Sequence, residues 1–303
     1  STRQRFGPML AQGSGLVAGR DFALVFSPER VFTGRVFADL RKYPKLVGGI
    51  DGASTREGVD FYSSVLEFDE RPDLARPNGV WDLGSAEAAE MAKLAETTYR
   101  DVNIGLANQF AMFAAQSGID VYRVIEACNS QPFSHIHQPG VAVGGHCIPI
   151  YPQMYLWNDP SASVVRSARE ANAQMPSRTV ELLASTHGDL EGQTVVVLGA
   201  AYRGGVKETA FSGVFPLVSA LHERGARVVV NDPMYSDDEL LAMEFTPHHF
   251  GDAADAVVVQ ADHSTYFGIG ASHIPGVRTV VDGRRTLDPE KWDVEAFVVL
   301  GQG

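Results

Sequence analysis

The sequence is poor in cysteine, with Cys128 and Cys147 the only two thiols in 303 residues. A disulfide framework and a four-cysteine metal site are therefore excluded, and no metal site is expected. An excess of positive charge is missing too: the formal net charge is -12, and lysines and arginines are interspersed with acids. That balance argues against a nucleic-acid surface, which relies on clustered cations. Long apolar runs are absent. The opening "STRQRFGPMLAQGSGL" has no secretory core, and no window approaches the roughly 20 apolar residues of a membrane span, so no membrane association is expected. A soluble protein of the reducing cytoplasm fits these absences best. A Gly-x-Gly-x-x-Gly fingerprint is also lacking anywhere in the chain. What is present is a 45% hydrophobic content over a length that suits about two domains.

The first 83 residues read as α/β but offer too few strands for a complete sheet. The run Phe22 to Phe26 predicts a buried strand that ends at Ser27-Pro28. "KLVGGID" at 45–51 predicts a second strand, followed by a helix over "STREGVDFYSSVL" with Ser54 as its N-cap. Strands this few lead to the expectation that part of a domain lies upstream of Ser1.

Residues 84–118 contain no proline, begin with Ser85 as an N-cap and end at Gly118, which predicts one long helix of about 50 Å. At 100° per residue, Met91, Ala95, Thr98, Val102, Leu106 and Phe113 form an apolar stripe, with Lys93, Thr97 and Arg100 roughly opposite. Two readings of Lys93 and Arg100 follow. Either they lie on a solvated face, as lysines usually do, or the helix packs one face on a partner and presents Lys93 to a cleft.

The last third is the clearest α/β segment. "TVVVLGAAY" and "ARVVVNDP" predict buried parallel strands joined by the helix "GVFPLVSALHERG", with Gly225 as its stop. "ADAVVVQADH", "RTVVDGR" and "EAFVVLG" supply three more strands of a doubly wound sheet. A ligand is expected outside the carboxyl ends of such strands, near Tyr202, Arg203, Asp262 and Arg284, although Arg203 and Arg284 could equally be solubilising surface residues. Cys128, in "VIEACNS", reads as core packing. Cys147, after two glycines and a histidine in "VAVGGHCIPIYP", is either a buried filler or a nucleophile on a glycine-lined loop.

Five segments in order, "FALVFSPERVFTG", "AEMAKLAETTYRDVNIGLANQFA", "QPGVAVGGHCIPI", "LGAAYRGGVKETAFSG" and "VVDGRRTLD", resemble the nucleotide-sugar 6-dehydrogenase family, that of UDP-glucose and GDP-mannose dehydrogenases. The branches that act on UDP-N-acetylmannosamine and UDP-N-acetylglucosamine are the most similar in these motifs. The resemblance implies an α/β protein in three parts: a remnant of an N-terminal Rossmann-like NAD-binding domain (1–83), a long central helix with the helical dimerisation region and catalytic cysteine loop (84–175), and a C-terminal Rossmann-like doubly wound parallel sheet that binds the nucleotide-sugar (176–303). It implies a homodimer formed through the helix 84–118. It also implies NAD as cofactor, its main site upstream of Ser1, and a UDP-sugar as substrate.

The implied reaction oxidises a sugar 6-hydroxyl to a carboxylate in two steps, through a thiohemiacetal and a thioester on a cysteine, as in polysaccharide biosynthesis. Cys147 matches that nucleophile. Lys93 matches a lysine that stabilises the alkoxide, and Glu29 a carboxylate that moves a proton or orders water. Gly144 and Gly145 admit close approach of the sugar. Arg203, beside Tyr202, stands where a lysine usually binds the phosphates, and Arg284 matches a substrate-binding arginine. Departures accompany these matches. Tyr151 stands where an aspartate is usual four residues after the cysteine, Thr97 where an asparagine holds water, and Phe133 where an arginine reaches the neighbouring subunit's substrate. Ala210 replaces an arginine directed at NAD, and Ala142 a glycine. Three readings stay open: a working dehydrogenase, a relative that stops at the aldehyde or epimerises, and a nucleotide-sugar-binding protein without turnover.

Overall fold

The computed structural model describes every residue of the chain except Thr33. These residues divide into two compact units, Ser1–Glu96 and Thr97–Gly303.

In the first unit, the described residues form a three-stranded sheet of β1 (Val25–Phe26), β2 (Lys45–Gly49) and β3 (Val80–Asp82), in the order β1-β2-β3. The central strand is buried at all five residues because it is paired on both edges, antiparallel to β1 and parallel to β3. The run Phe22 to Phe26 is a correction to the expected buried strand. Only Val25 and Phe26 pair with β2, and both are half-buried, as edge residues are. Helices α1 (Gly7–Ser14), α2 (Val36–Lys42) and α3 (Gly52–Val65) complete the unit. The N-cap of α3 is also corrected: the Asp51 carboxylate accepts the Ser54 amide at 2.7 Å, so the helix starts two residues before Ser54. A Cβ on Gly58 of α3 would lie 2.9 Å from Val25 and from Val47, and its absence is what lets the helix settle on the sheet.

Helix α4 (Ala86–Gln116) runs across the boundary between the units. Its ends are those the sequence marks: Ser85 Oγ accepts the Ala88 amide at 3.1 Å, and Gly118 turns the chain with φ +67°. Its faces are reversed from the solvated-lysine reading. Met91, Leu106 and Phe113 are exposed, the last at 67%, whereas Lys93 and Thr97 are buried. The buried face is lined by alanines (Ala86, Ala89, Ala107, Ala111, Ala114), whose small side chains permit close packing, and by polar groups that find partners. Asp101 accepts from Arg169 at 2.7 Å and from Asn172 at 2.8 Å, while Asn108 bonds Asn172 and the Gly140 amide.

The second unit continues with α5 (Val121–Asn129), capped by Asp120, then α6 (Tyr151–Asn158) and α7 (Ser163–His187). Cys128 of α5 is half-buried, a correction to core packing, because it lies in the last turn of the helix, past the fully buried Val121 and Ile125 of the same face. The described strands form one parallel sheet: β4 (Thr194–Leu198), β5 (Arg227–Asn231), β6 (Thr246–Pro247), β7 (Ala256–Val259), β8 (Thr279–Asp282) and β9 (Ala296–Val299), in the order β6-β5-β4-β7-β8-β9. Both faces are covered. Val195 and Val197 of β4 join one core with Leu183 of α7 and with Leu217 and Leu221 of α8 (Val214–His222), while Val196 and Leu198 join a second with Tyr266, Ile274 and Trp292. This explains the near-continuous valine runs: with helices or loops on each side, no residue of the central strands β4, β7 and β8 is exposed. Helix α9 (Asp237–Ala242) links β5 to β6. Among the described residues, no helix is long and apolar enough to cross a membrane.

Candidate active site

Strand order reverses where β5 and β7 flank β4, and the loops leaving β4, β7 and β8 converge at the carboxyl end of the sheet. Side chains from these loops hold one another in place. Asp232, just after β5, accepts the Ala200 and Ala201 amides at 2.8 and 2.9 Å, and the ring of buried His263 at 3.1 Å. Burial opposes the charge of Asp232, yet the hydrogen bonds from His263 and the amides of Ala201 and Met234 hold its pKa below the usual value. Asp262 accepts the Gly204 amide at 2.9 Å and lies 3.5 Å from Arg284. The next residue in the chain, His263, receives the Gly205 amide on Nδ1 at 3.3 Å. Residues 202–205 are thereby pinned from beneath, and Arg203 donates to the Tyr202 hydroxyl at 3.1 Å.

The cysteine loop is fitted onto these loops within the same unit. Gly145 has φ +90° and donates its amide to the Ala210 carbonyl at 2.8 Å. A Cβ on Gly144 would lie 2.6 Å from Tyr202, and one on Gly140 the same distance from Arg284 Nη1. Cys147 is exposed, which corrects the buried-filler reading. The preceding His146 pairs with Glu208 at 2.9 Å. The Tyr151 amide bonds the Cys147 carbonyl at 3.0 Å at the start of α6, and burial together with the charge of Cys147 pushes the Tyr151 phenol above its usual pKa. A cavity of about 440 Å³ is bordered by Ala142, Val143, Pro149, Arg169, Phe211 and Phe215. Phe133 is 93% exposed on a loop fixed by the Asn129 side chain, which bonds Ile136 at both its amide and its carbonyl.

The sequence-derived residues fall into two groups. Cys147, Gly144, Gly145, Tyr202, Arg203 and Arg284 lie on interlocked loops of the second unit. In the first unit, Lys93 donates to the Glu29 carbonyl at 2.6 Å, and the Glu29 carboxylate meets Lys45 at 3.1 Å. Thr97, buried one helical turn beyond Lys93, opens the second unit. Sequence reasoning missed Asp232, His263, Gly140 and the His146–Glu208 pair. For Asp232 a signal was available, since an acidic residue at the end of the second strand of a doubly wound sheet is a recurrent feature. The His146–Glu208 pair spans 62 residues, and no local pattern announces it.

Comparison with known proteins fits this arrangement. Residues 87–174 match the central domain of the UDP-glucose/GDP-mannose dehydrogenase family, and residues 196–289 match its UDP binding domain. The chain is 33% identical over 284 residues to the UDP-N-acetyl-D-mannosamine dehydrogenase of Methanocaldococcus jannaschii, covering 91% of this chain and 63% of that protein. To the enzyme of the same name from Pyrococcus horikoshii it is 32% identical over 296 residues, covering 94% and 66%. The solved structure of the UDP-D-ManNAc dehydrogenase from Pyrococcus horikoshii superposes with a TM-score of 0.84 at 28% identity, covering all of this chain and 70% of that one. The chain thus spans just under two thirds of the length of these curated relatives. With two domains of one family matched in order, and a solved member of that family reproducing the fold, the chain belongs to the UDP-glucose/GDP-mannose dehydrogenase family.

Proposed function

We propose that this chain carries the covalent catalyst and the nucleotide-sugar end of a UDP-sugar 6-dehydrogenase. Its substrate is a UDP-N-acetylhexosamine, whose 6-hydroxyl is oxidised to a carboxylate with two NAD per sugar. One observation carries the reading: an exposed cysteine on a loop built from two close-packed glycines, fitted against the loops that carry Arg203 and Arg284. Family membership and the names of the relatives point the same way.

The chemistry assigned to these residues is as follows. Cys147 Sγ adds to the aldehyde carbon, and it leaves again when water attacks the thioester. Arg203 and Arg284 offer planar donor forks to the two phosphates. Lys93 stabilises the alkoxide, Glu29 transfers a proton, and Thr97 holds a water; these three roles rest on the resemblance.

The NAD seat is a separate matter. In the C-terminal sheet, the turn after β4 does not fit a dinucleotide pyrophosphate: its sequence lacks the glycine fingerprint, and the Ala200 and Ala201 amides are already taken by the Asp232 carboxylate. The steps assigned to this chain are therefore confined to the acyl and phosphate ends of the reaction. A homodimer through the exposed apolar face of α4 and a cytoplasmic site of action belong to the same proposal.

Tyr151 favours a second reading, in which the protein stops at the aldehyde or epimerises, because it replaces an acid that hydrolyses the thioester. Incubation of the full-length protein with UDP-N-acetylmannosamine or UDP-N-acetylglucosamine and NAD separates the possibilities. Two NADH per sugar and a uronate support the dehydrogenase, an aldehyde or epimer supports the second reading, and tight binding without product makes the protein a binder. Undiminished acid formation by Cys147→Ala would remove the covalent scheme.

A further inference from the structure

We infer that His146 is the base that activates water to release an acyl group from Cys147, and that Glu208 is its positioning residue. The inference rests on the covalent role proposed for Cys147.

A thioester held on Cys147 needs a group that takes a proton from water, and the position four residues on offers none at neutral pH. Tyr151 is a phenol whose pKa lies above its usual value, so it stays protonated and is a poor base. His146 directly precedes Cys147 in the chain, so their Cα atoms are about 3.8 Å apart.

The ring is oriented from both ends of Glu208. One carboxylate oxygen, Oε1, accepts the Ala210 amide at 2.8 Å, and the other, Oε2, faces His146 Nε2 at 2.9 Å. The carboxylate cannot swing away without losing the backbone bond. It is also held ionised, because the hydrogen bond from His146, followed by that from the Ala210 amide, lowers its pKa.

The tautomer follows from this. An ionised carboxylate only accepts hydrogen bonds, so the facing Nε2 carries the hydrogen of the neutral ring. Nδ1 is left with its lone pair, and among the described residues it has no hydrogen-bond partner. His146 is 66% exposed at its side chain and Cys147 is exposed, so water reaches both. A carboxylate fixing one ring nitrogen while the other takes a proton is the arrangement that makes histidine an effective base, since the carboxylate also stabilises the imidazolium that forms.

The step balances without any oxidant. The water oxygen bonds to the acyl carbon while its proton passes to His146 Nδ1. The tetrahedral intermediate then breaks its C–S bond, and the departing sulfur takes the proton back from His146, which restores the Cys147 thiol and the neutral ring. The product is the free acid.

The test uses p-nitrophenyl acetate, which acetylates a reactive thiol and needs neither NAD nor sugar. In the full-length protein, S-acetyl-Cys147 is located by peptide mass mapping, with Cys147→Ala as the blank for reaction at Cys128 and at amines. Its hydrolysis is then followed with time. His146→Ala is expected to slow deacylation by about 100-fold or more, with added imidazole restoring a substantial part. Glu208→Gln is expected to slow it by about 10-fold and Glu208→Asp to recover most of that loss, which a purely structural role does not predict. Deacylation of His146→Ala at the wild-type rate, or a slowed variant that imidazole leaves unchanged, overturns the inference. NADH yield from a UDP-sugar, measured separately, tests the dehydrogenase reading, so the two can fail independently.

Discussion

Gly144 stands so close to Tyr202 that the Cβ of an alanine there would lie 2.6 Å from the tyrosine Cβ, and 2.8 Å from the Phe211 carbonyl oxygen. Neither neighbour is the far end of a flexible side chain. Gly144→Ala is therefore expected to push the cysteine loop off its support at a cost of about 1–3 kcal/mol. Thermal unfolding should show a lowered but cooperative transition. Acetylation of Cys147 should slow by more than the stability loss alone explains, and unchanged labelling kinetics would show that the contact does not set the loop.

Asp101 and Arg169 form a buried ion pair at 2.7 Å whose acid has no exposed surface. Removing Arg169 leaves the carboxylate uncompensated, so Arg169→Ala should cost about 3–5 kcal/mol at neutral pH, measured by urea unfolding. Adding Asp101→Asn should recover part of that loss. Burial raises the Asp101 pKa against the opposing pull of Arg169 and Asn172. An acid with a raised native pKa favours folding at low pH and loses that contribution as pH rises through the native value. Without Arg169 that native value climbs further, so the penalty of Arg169→Ala should be smaller at pH 5 than at pH 8.

Asp232 has the opposite sign. Its pKa is lowered in the folded state, so its stabilisation is present above the unfolded value of 3.8 and is lost as pH falls through the native one. Asp232→Asn should cost about 1.5–3 kcal/mol at pH 7, the worth of hydrogen bonds to a charged group. The gap between wild type and variant in urea should close towards pH 3.

The exposed face of α4 gives a prediction about assembly. Leu106 and Phe113 are 43% and 67% exposed and lie seven residues apart, on one side of the helix. If that face joins two copies, wild type should scatter light as a dimer and Leu106→Asp with Phe113→Asp as a monomer. The double variant should lose little else, because neither side chain is part of a buried core.

Much of the C-terminal sheet was legible in the sequence because valine runs between glycine and charged turns have few other solutions. Ser85 and Gly118 marked the ends of α4 for an equally local reason. The faces of α4 were not legible. A stripe of large apolar residues ordinarily turns inward, but here the inward face is made of alanines and of polar groups whose partners, Arg169 and Asn172, lie more than sixty residues away. Asp51 escaped notice as a cap because Ser54 is also a good capping residue, and only geometry decides between them. In the candidate site, Cys147, Arg203 and Arg284 stood out by motif. What arranges them, Asp232, His263 and Glu208, acts across the fold and leaves no spacing signature.

Residues 208–210 have a mechanical consequence. This short stretch takes the Tyr202 amide on the Glu208 carbonyl, the Gly145 amide on the Ala210 carbonyl, and the His146 ring on the Glu208 side chain. It works as a crossbar between the arginine loop and the thiol loop, with no slack segment between the two attachments. A displacement of the arginine loop is therefore passed through these hydrogen bonds to the residues just before Cys147, and the two loops are expected to shift together.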